Sequence, residues 1–283
     1  MTTKSTFFSD SEMAAEFWEK GKSLSCPVID THGHMDAYGR IFMPRMSAEA
    51  MIATMDDCGL KLLIFSHHLA LLSAELGVQE SLDAVHQFPD RLRAYLVVHP
   101  NYPRKFTRNL KIFEANRDVF VGFKFHPTLQ AAALDHPGYK PAWEYAEAHA
   151  LPVLSHTWGF DEFCGAEVIR SVAGQYPHVP LLLGHSVHDD WMSAVELALE
   201  FPNIYLELTA VLDDRGPLEL FVKTVGSRRL LFGTDIPWFD PHYYLGSLFS
   251  AHITDEDRHN ICHRNAEKLF APFIEGLVKP DEG

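Results

Sequence analysis

Short apolar runs alternate with longer amphipathic segments along most of the chain. Eight of these runs have the length and the β-branched or aromatic content of buried strands. They are Val28–His34, Lys61–His67, Leu92–His99, Val119–His126, Leu151–His156, Val179–His185, Asn203–Thr209 and Leu230–Asp235. Nearly continuous apolar strands that alternate with helices are typical of parallel β/α units. The pattern therefore predicts an α/β fold built on a parallel sheet.

Helical patterns occupy the segments between the predicted strands and follow the last one. They are Ser47–Cys58, Ser73–Gln87, Phe106–Arg117, Ala142–Ala150, Asp161–Tyr176, Trp191–Phe201, Leu218–Val225 and Asp255–Phe270. Ahead of the first strand, Asp10–Lys22 has the pattern of a short amphipathic helix. We expect Phe17 and Trp18 to pack this helix on the rest of the protein.

Eight β/α units within about 250 residues match a closed (β/α)8 barrel, or TIM barrel. An open, doubly wound sheet is the alternative, but no glycine-rich phosphate loop follows the first strand, as a dinucleotide fold would require. No Pro/Ser-rich linker interrupts the chain. We therefore expect a single barrel domain over residues 28–283, preceded by an N-terminal extension of residues 1–27.

Composition narrows the classes of partner. The chain has 283 residues, 47% of them hydrophobic, and a formal net charge of −14 from 24 basic and 38 acidic residues. Because no cluster of Lys and Arg stands out, nucleic acid and anionic membranes are poor candidate partners. A small-molecule substrate is the expected partner. The segment Trp238–Phe249 is unusually aromatic for a surface loop. Burial of part of it by a partner chain, in a homo-oligomer, is therefore left open.

Cysteine usage and hydropathy indicate the compartment. Cys26, Cys58, Cys164 and Cys262 lie far apart and form no C-x-x-C pair, which favours reduced thiols over disulfides or a zinc-cysteine site. The first 27 residues lack the apolar core of a signal peptide, and no stretch reaches the length of a membrane span. We expect a cytoplasmic protein.

The first predicted strand ends in a pair of histidines. Its last residues are Asp30-Thr31-His32-Gly33-His34. Side chains at positions i and i+2 of a strand point to the same face, so His32 and His34 project together and can bind one metal ion. Asp30 shares this face, and we interpret it either as a residue that orients a ligand or as a buried hydrogen-bonding group.

Other strands also end in polar residues suited to a metal site. The fifth, sixth and eighth predicted strands end in His156, His185 and Asp235. Eight of the 17 histidines follow this rule: His32, His34, His67, His68, His99, His126, His156 and His185. The carboxyl ends of barrel strands meet at the face that holds active sites. Imidazoles with one carboxylate suit zinc and related divalent cations.

Taken in order, these motifs resemble those of the amidohydrolase superfamily. The resemblance runs from Val28 to about Phe273, and the closer likeness is to the amidohydrolase-2 branch of metal-dependent hydrolases, lactonases and non-oxidative decarboxylases. The motifs are Asp30-Thr31-His32-Gly33-His34, Gly122-Phe123-Lys124-Phe125-His126-Pro127, His156, His185, Gly233-Thr234-Asp235 and Asn265-Ala266-Glu267-Lys268-Leu269-Phe270.

The resemblance implies roles for the residues at the strand ends. It implies that His32, His34, His156 and Asp235 hold the metal, that His185 lies beside it, and that Asp235 is also the proton acceptor. The chain departs from many relatives after His185, where Ser186-Val187-His188-Asp189-Asp190 replaces a glycine-rich turn.

Four further residues are candidates for contact with the substrate. Lys124 shares strand parity with His126, and both side chains should face the barrel interior. In one branch of the superfamily a lysine on this strand is carboxylated and bridges two metals. The amidohydrolase-2 likeness instead implies one metal and a plain ammonium that contacts an anionic substrate. Arg40 is either a carboxylate anchor or a solvated loop residue, and Trp158 either walls the substrate or packs a lid or a subunit interface. Trp191 and Trp238 also follow strands that end in site residues, and the same two interpretations apply to them.

The leading hypothesis is a metal-dependent hydrolase that cleaves a lactone, cyclic amide or ester. The metal would activate water, Asp235 would accept its proton, and His185 would stabilise the oxyanion. The alternative is a non-oxidative decarboxylase of an aromatic or unsaturated acid on the same site. A third hypothesis is a metal-binding protein without activity. One divalent ion is expected, Zn²⁺ first, with Mn²⁺, Fe²⁺ or Co²⁺ as alternatives.

Overall fold

The computed structural model describes residues 10–39, 41–73 and 75–277, and within them eight parallel strands form a barrel. The strands are β1 (Val28–Met35), β2 (Leu60–His67), β3 (Leu92–Val97), β4 (Phe120–Phe125), β5 (Val153–Trp158), β6 (Leu181–His188), β7 (Ile204–Glu207) and β8 (Leu230–Leu231). Each strand pairs with its successor in the sequence. The predicted (β/α)8 barrel is confirmed.

The barrel closes through the segment that follows β8. Within the closing seam, the Asp235 N–H donates to the His32 carbonyl (2.7 Å) and the His34 N–H donates to the Ile236 carbonyl (2.6 Å). β8 ends at Leu231, before the predicted end at Asp235, and Asp235 itself has a positive φ of +58°. This seam holds Asp235 beside the two histidines of β1.

Helices cover the outside and one end of the barrel. They are α1 (Glu12–Lys20), α2 (Ala48–Cys58), α3 (His68–Leu72), α4 (Val78–Gln87), α5 (Pro103–Ala115), α6 (Pro127–Gln130), α7 (Lys140–His149), α8 (Ala166–Gln175), α9 (Trp191–Glu200), α10 (Pro217–Thr224), α11 (Pro241–Ser250), α12 (Asp255–His259), α13 (Asn265–Leu269) and α14 (Ala271–Ile274). Short 3-10 turns cover Val211–Asp213 and Ser227–Arg229, and a π-helix covers Asn260–Arg264. In the described part of the chain, no helix is long and apolar enough to cross a membrane.

Two helical predictions need correction. The predicted helix Ser73–Gln87 begins only at Val78, and a separate helix, α3, precedes it. The predicted closing helix Asp255–Phe270 is interrupted by the π-helix, whose wider turn changes the direction of the side chains that follow it. Neither change alters the barrel.

The N-terminal helix packs mainly through one of its two predicted aromatic residues. Phe17 is buried, and its ring stacks on Phe249 at a centroid distance of 5.1 Å. Trp18 is 58% exposed, and one edge of its ring approaches Gly246 of α11. The division into residues 1–27 and 28–283 stays a prediction.

The aromatic segment Trp238–Phe249 is largely helix α11 and not a surface loop. Tyr244, Leu245, Leu248 and Phe249 are buried inside this chain. Tyr244 and Phe249 are thus covered without a partner chain, whereas Tyr243 is 54% exposed and Trp238 and Phe239 are partly exposed. The homo-oligomer stays a prediction.

Side chains fill the interior of the barrel below its carboxyl end. They are Ile29, Leu62, Ile64, Tyr95, Val121, Leu154, Leu182 and Leu231, closed off by Ala266, Phe270 and Ile274 from the last helices. A filled interior leaves only the carboxyl end open for a ligand. Across this core, the fully buried Tyr95 hydroxyl donates to the Thr31 carbonyl (2.9 Å), which lies beside His32.

Tyr95→Phe should lower the free energy of unfolding by about 1–2 kcal/mol, since it removes a buried hydrogen bond to a carbonyl. Urea denaturation measures the change. Tyr102→Phe is the control, because Tyr102 is 58% exposed and should cost nothing measurable. Equal stability of the two variants would contradict this account of the barrel core.

Candidate functional site

Three of the four predicted metal ligands converge at the carboxyl end of the barrel. Asp235 Oδ1 lies 2.9 Å from His34 Nε2 and 3.4 Å from His32 Nε2. The ligand atoms of all three residues lie within 4.8 Å of one another. Strand parity brings the two histidines together, and the closing seam brings the aspartate to them.

The hydrogen bonds of His34 indicate that this cluster suits a cation. Its Nδ1 lies 3.2 Å from the Ser66 carbonyl and 2.9 Å from the Ser66 hydroxyl. The carbonyl can only accept and the hydroxyl can also accept, so we assign the ring proton to Nδ1 and the lone pair to Nε2. Asp235 Oδ1 accepts no hydrogen bond from any described residue. A lone pair and a carboxylate oxygen therefore face each other at 2.9 Å. Such a pair repels unless a positive charge lies between the two atoms, so the donor set fits a divalent ion.

His32 is held by a carboxylate that sequence reasoning missed. Its Nδ1 donates to Glu207 Oε2 at 2.8 Å, which leaves Nε2 directed at the cluster. The Lys124 ammonium lies 2.6 Å from that Nε2. Burial, followed by the charge of Lys124, lowers the pKa of His32 well below its usual value. The imidazole is neutral, which is the form that binds metals.

Glu207 is fully buried at the end of β7. Its Oε1 accepts both the N–H (2.8 Å) and the hydroxyl (2.7 Å) of Thr209, and its Oε2 also accepts the His185 N–H (3.2 Å). Burial raises the pKa of Glu207 to about 7. A β-carbon at residue 233 would lie 2.1 Å from Oε1, so Gly233 provides the space for this carboxylate. Glu207 is the only acidic residue of its predicted strand, and this isolated acid was the sequence signal by which its role could have been found.

Asp30 is not part of the metal cluster, but it connects the strand that carries His32 and His34 to the segment that carries Asp235. Its Oδ1 accepts the His32 N–H (3.0 Å), and its Oδ2 accepts the Thr234 hydroxyl (2.5 Å). Burial raises the pKa of Asp30 to about 8. The residue is thus a buried hydrogen-bonding group that ties β1 to the residue before Asp235.

His156, the fourth predicted ligand, lines the same cavity but lies outside the cluster of three. Its ring stacks on His126 at a centroid distance of 4.2 Å and lies 4.8 Å from the ring of His185. Burial lowers the pKa of His156 and of His185 well below the usual value, so both are neutral. Ligation by His156 stays a prediction. Among the described residues, His185 Nδ1 has no hydrogen-bond partner.

The end of β6, where the sequence lacks the glycine-rich turn, has a strained backbone. His185, Ser186 and Val187 have φ values of +69°, +48° and +55°. Left-handed conformations of non-glycine residues cost about 1–3 kcal/mol each and persist where the surroundings hold them. The Val187 N–H donates to the Thr157 hydroxyl (2.9 Å), and the Ser186 hydroxyl donates to the Glu207 carbonyl (2.8 Å). These bonds fix the direction of His185.

A cavity of about 250 Å³ opens above the cluster. Its lining includes the predicted substrate contacts Lys124, His126, Trp158 and Trp238, but not Trp191. Tyr38, His68, Leu71, Ala210 and Phe239 also line it, and sequence reasoning did not assign these to substrate contact. Burial lowers the pKa of Lys124 to about 8. The predicted anchor Arg40 lies outside the described residues. The small volume and the aromatic walls suit a compact ligand.

The chain matches a family model described as Amidohydrolase over residues 29–271. No functionally curated protein matches it. An uncharacterized TIM-barrel protein from Bordetella bronchiseptica is 18% identical, with 87% of this chain and 98% of that chain covered at a TM-score of 0.74. A dihydroxybenzoic acid decarboxylase from Polaromonas sp. JS666, solved with bound manganese and the inhibitor 2-nitroresorcinol, is 17% identical (88% and 97% covered, TM-score 0.69). A 5-carboxyvanillate decarboxylase from Sphingomonas paucimobilis is 14% identical (88% and 99% covered, TM-score 0.68). At these identities the likeness shows the fold.

Glu207→Gln should weaken metal binding at the barrel cluster by about 10–100-fold, because the amide no longer fixes the His32 tautomer. Thr209 can still donate to the amide oxygen, so the fold should be kept. Calorimetric titration with Mn²⁺ and Zn²⁺ measures the affinity. Glu196→Gln, on the exposed face of α9, is the matched control. Unchanged affinity in Glu207→Gln would remove Glu207 from any role at the metal.

Proposed function

This chain belongs to the amidohydrolase family, and on that basis we propose that it is a metal-dependent hydrolase of a small lactone, cyclic amide or ester. The observation that carries the proposal is the unpartnered Asp235 Oδ1, which faces two imidazoles inside an aromatic-walled cavity. A carboxylate so placed can bind a cation and also take a proton from water.

The proposed ligands are His32, His34 and Asp235, with His156 as the fourth. A divalent ion bound there would supply Lewis acidity, polarise a carbonyl and lower the pKa of water to about 7. Zinc is our first choice, because it suits imidazoles with one carboxylate. Manganese is the alternative, since the Polaromonas decarboxylase contains it.

The remaining polar groups of the cavity have separate proposed roles. Asp235 accepts the proton of the attacking water. His185 is a neutral imidazole and therefore has one ring N–H to donate to the oxyanion that develops on the carbonyl. Lys124, buried at the base of the cavity, adds positive charge for an anionic group of the substrate. The walls Trp158 and Trp238 exclude water from the ring of the substrate.

Asp235→Asn should reduce turnover by about 10²–10⁴-fold, because the amide cannot accept the proton, while its oxygen can still bind the metal. The measurement combines kcat on the most rapidly hydrolysed member of a lactone and ester panel with metal content per chain. Asp214→Asn, exposed on the loop after β7, should leave both values unchanged. Near-normal turnover with normal metal content in Asp235→Asn would exclude Asp235 as the base.

A second candidate is a non-oxidative decarboxylase of an aromatic or unsaturated acid. It is favoured by the structural likeness to the Polaromonas and Sphingomonas decarboxylases, together with the aromatic walls of the cavity. In this reaction the bond from carbon to the carboxylate breaks, CO₂ leaves, and a proton is added to the ring carbon. Lys124 would pair with the carboxylate, and Asp235 or His185 would deliver the proton.

One assay separates the two candidates. We expect the metal-loaded protein to release acid from a lactone or ester without forming CO₂. Release of CO₂ from a hydroxybenzoate, with no hydrolysis of the panel, would instead select the decarboxylase. Trapped CO₂ and titrated acid are measured side by side, with Asp235→Asn as the blank. If the metal-loaded protein neither hydrolyses nor decarboxylates any compound of a broad panel, both candidates are wrong. That result would favour the hypothesis of a metal-binding protein without activity.

A further inference from the structure

A second cluster of metal-binding side chains lies at the opposite end of the barrel. Cys26 precedes β1, His259 ends α12, and His263 belongs to the π-helix. Cys26 Sγ lies 3.5 Å from His259 Nδ1, which in turn lies 3.0 Å from His263 Nε2. The three ligand atoms lie within 4.8 Å of one another. We propose that these side chains bind a second, structural metal ion, Zn²⁺ or a similar thiophilic divalent cation.

Two of the spacings among these atoms are close to those of a tetrahedral zinc site. With Zn–S near 2.3 Å and Zn–N near 2.0–2.1 Å, two ligands at a tetrahedral angle are roughly 3.3–3.6 Å apart. The sulfur–nitrogen distance of 3.5 Å falls in that range, and the nitrogen–nitrogen distance of 3.0 Å needs a shift of a few tenths of an ångström.

A carboxylate orients one of the two imidazoles. His263 Nδ1 donates to Glu267 Oε1 at 2.9 Å, so its Nε2 carries the lone pair and points at Cys26 and His259. Metal-bound histidines almost always have such a partner on the second ring nitrogen. Glu267 therefore has the same role toward His263 as Glu207 has toward His32.

The π-helix brings a second thiol to the cluster. Cys262 follows His259 by three residues and precedes His263, and it is fully buried. It interacts with Cys26, although its sulfur does not belong to the group of three ligand atoms that lie within 4.8 Å of one another. Cysteine binds metals as the thiolate. Cys262 is the proposed fourth ligand, which would reach the ion by a small shift.

Such a site would join distant parts of the chain. Cys26 lies just before the first strand, and the two histidines lie in the helices that close the base of the barrel. A closed site with protein ligands at all four positions contributes to folding and leaves no position for a substrate. The inference does not depend on the proposed reaction at the other end of the barrel.

Cobalt titration of the reduced protein tests the proposal. Absorption from thiolate-to-cobalt charge transfer requires a sulfur ligand, and the described ligands of the other site supply only nitrogen and oxygen. We expect one thiolate-bound Co²⁺ per chain in the wild type and in the double variant His32→Asn with His34→Asn. The band should weaken in Cys26→Ser, be lost in the double variant Cys26→Ser with Cys262→Ser, and be kept in the matched control Cys58→Ser.

His263→Asn provides a second test in case Cys26→Ser fails to fold, since the His263 side chain is 12% exposed and easier to replace. The His263→Asn variant should bind Co²⁺ at this site at least tenfold more weakly, as measured from the charge-transfer band, while its circular dichroism spectrum stays native. In the His32/His34 double variant, added Zn²⁺ should raise the melting temperature, and Cys26→Ser should abolish that rise. A folded, reduced protein without the band would overturn the proposal. So would a band that survives the loss of both Cys26 and Cys262, or a Cys26–Cys262 disulfide that persists under reduction.

Discussion

The backbone hydrogen bonds that close the barrel are the constraint on which the candidate site depends. They join β1 to the segment after β8, and so bring His32 and His34 to Asp235 across some two hundred residues of sequence. Asp30 strengthens the same seam through Thr234. Since hydrogen bonds on both sides of Asp235 fix its backbone, the carboxylate can face two imidazoles without a partner of its own.

The cost of this arrangement is the burial of two acids. Asp30 and Glu207 are both fully buried, and burial raises the pKa of Asp30 to about 8 and the pKa of Glu207 to about 7. Each carboxylate is satisfied by backbone N–H groups and a threonine hydroxyl, which offsets part of the desolvation. What the protein gains is orientation, because Glu207 sets the tautomer of His32 and Asp30 sets the position of the strand beneath it.

The two clusters of metal-binding residues differ in the way that catalytic and structural sites differ. The cluster at the carboxyl end has nitrogen and oxygen donors, opens into a cavity and adjoins a strained backbone at β6. The cluster at the base contains a buried cysteine and belongs to helices that close the barrel. An open site favours exchange with a substrate, and a closed site with sulfur favours retention of the ion. On our proposals, the catalytic site and the structural metal site lie at opposite ends of one barrel.

Local pattern was enough to predict the order of eight strands, the barrel, and the side on which His32, His34 and Asp235 project, because strand parity and strand order are encoded over a few residues. Contacts between distant segments were not predictable in this way. Glu207 lies 175 residues from His32, and Cys26 lies 233 residues from His259, so no spacing rule such as C-x-x-C could reveal either pair. His156 stacks on His126 and lies outside the cluster, and neither arrangement can be read from the positions of the two residues in the sequence. The sequence by itself thus determined the architecture and the face that carries the chemistry. Only the tertiary structure decided which side chains orient the ligands, because side-chain partners depend on packing that no short pattern encodes.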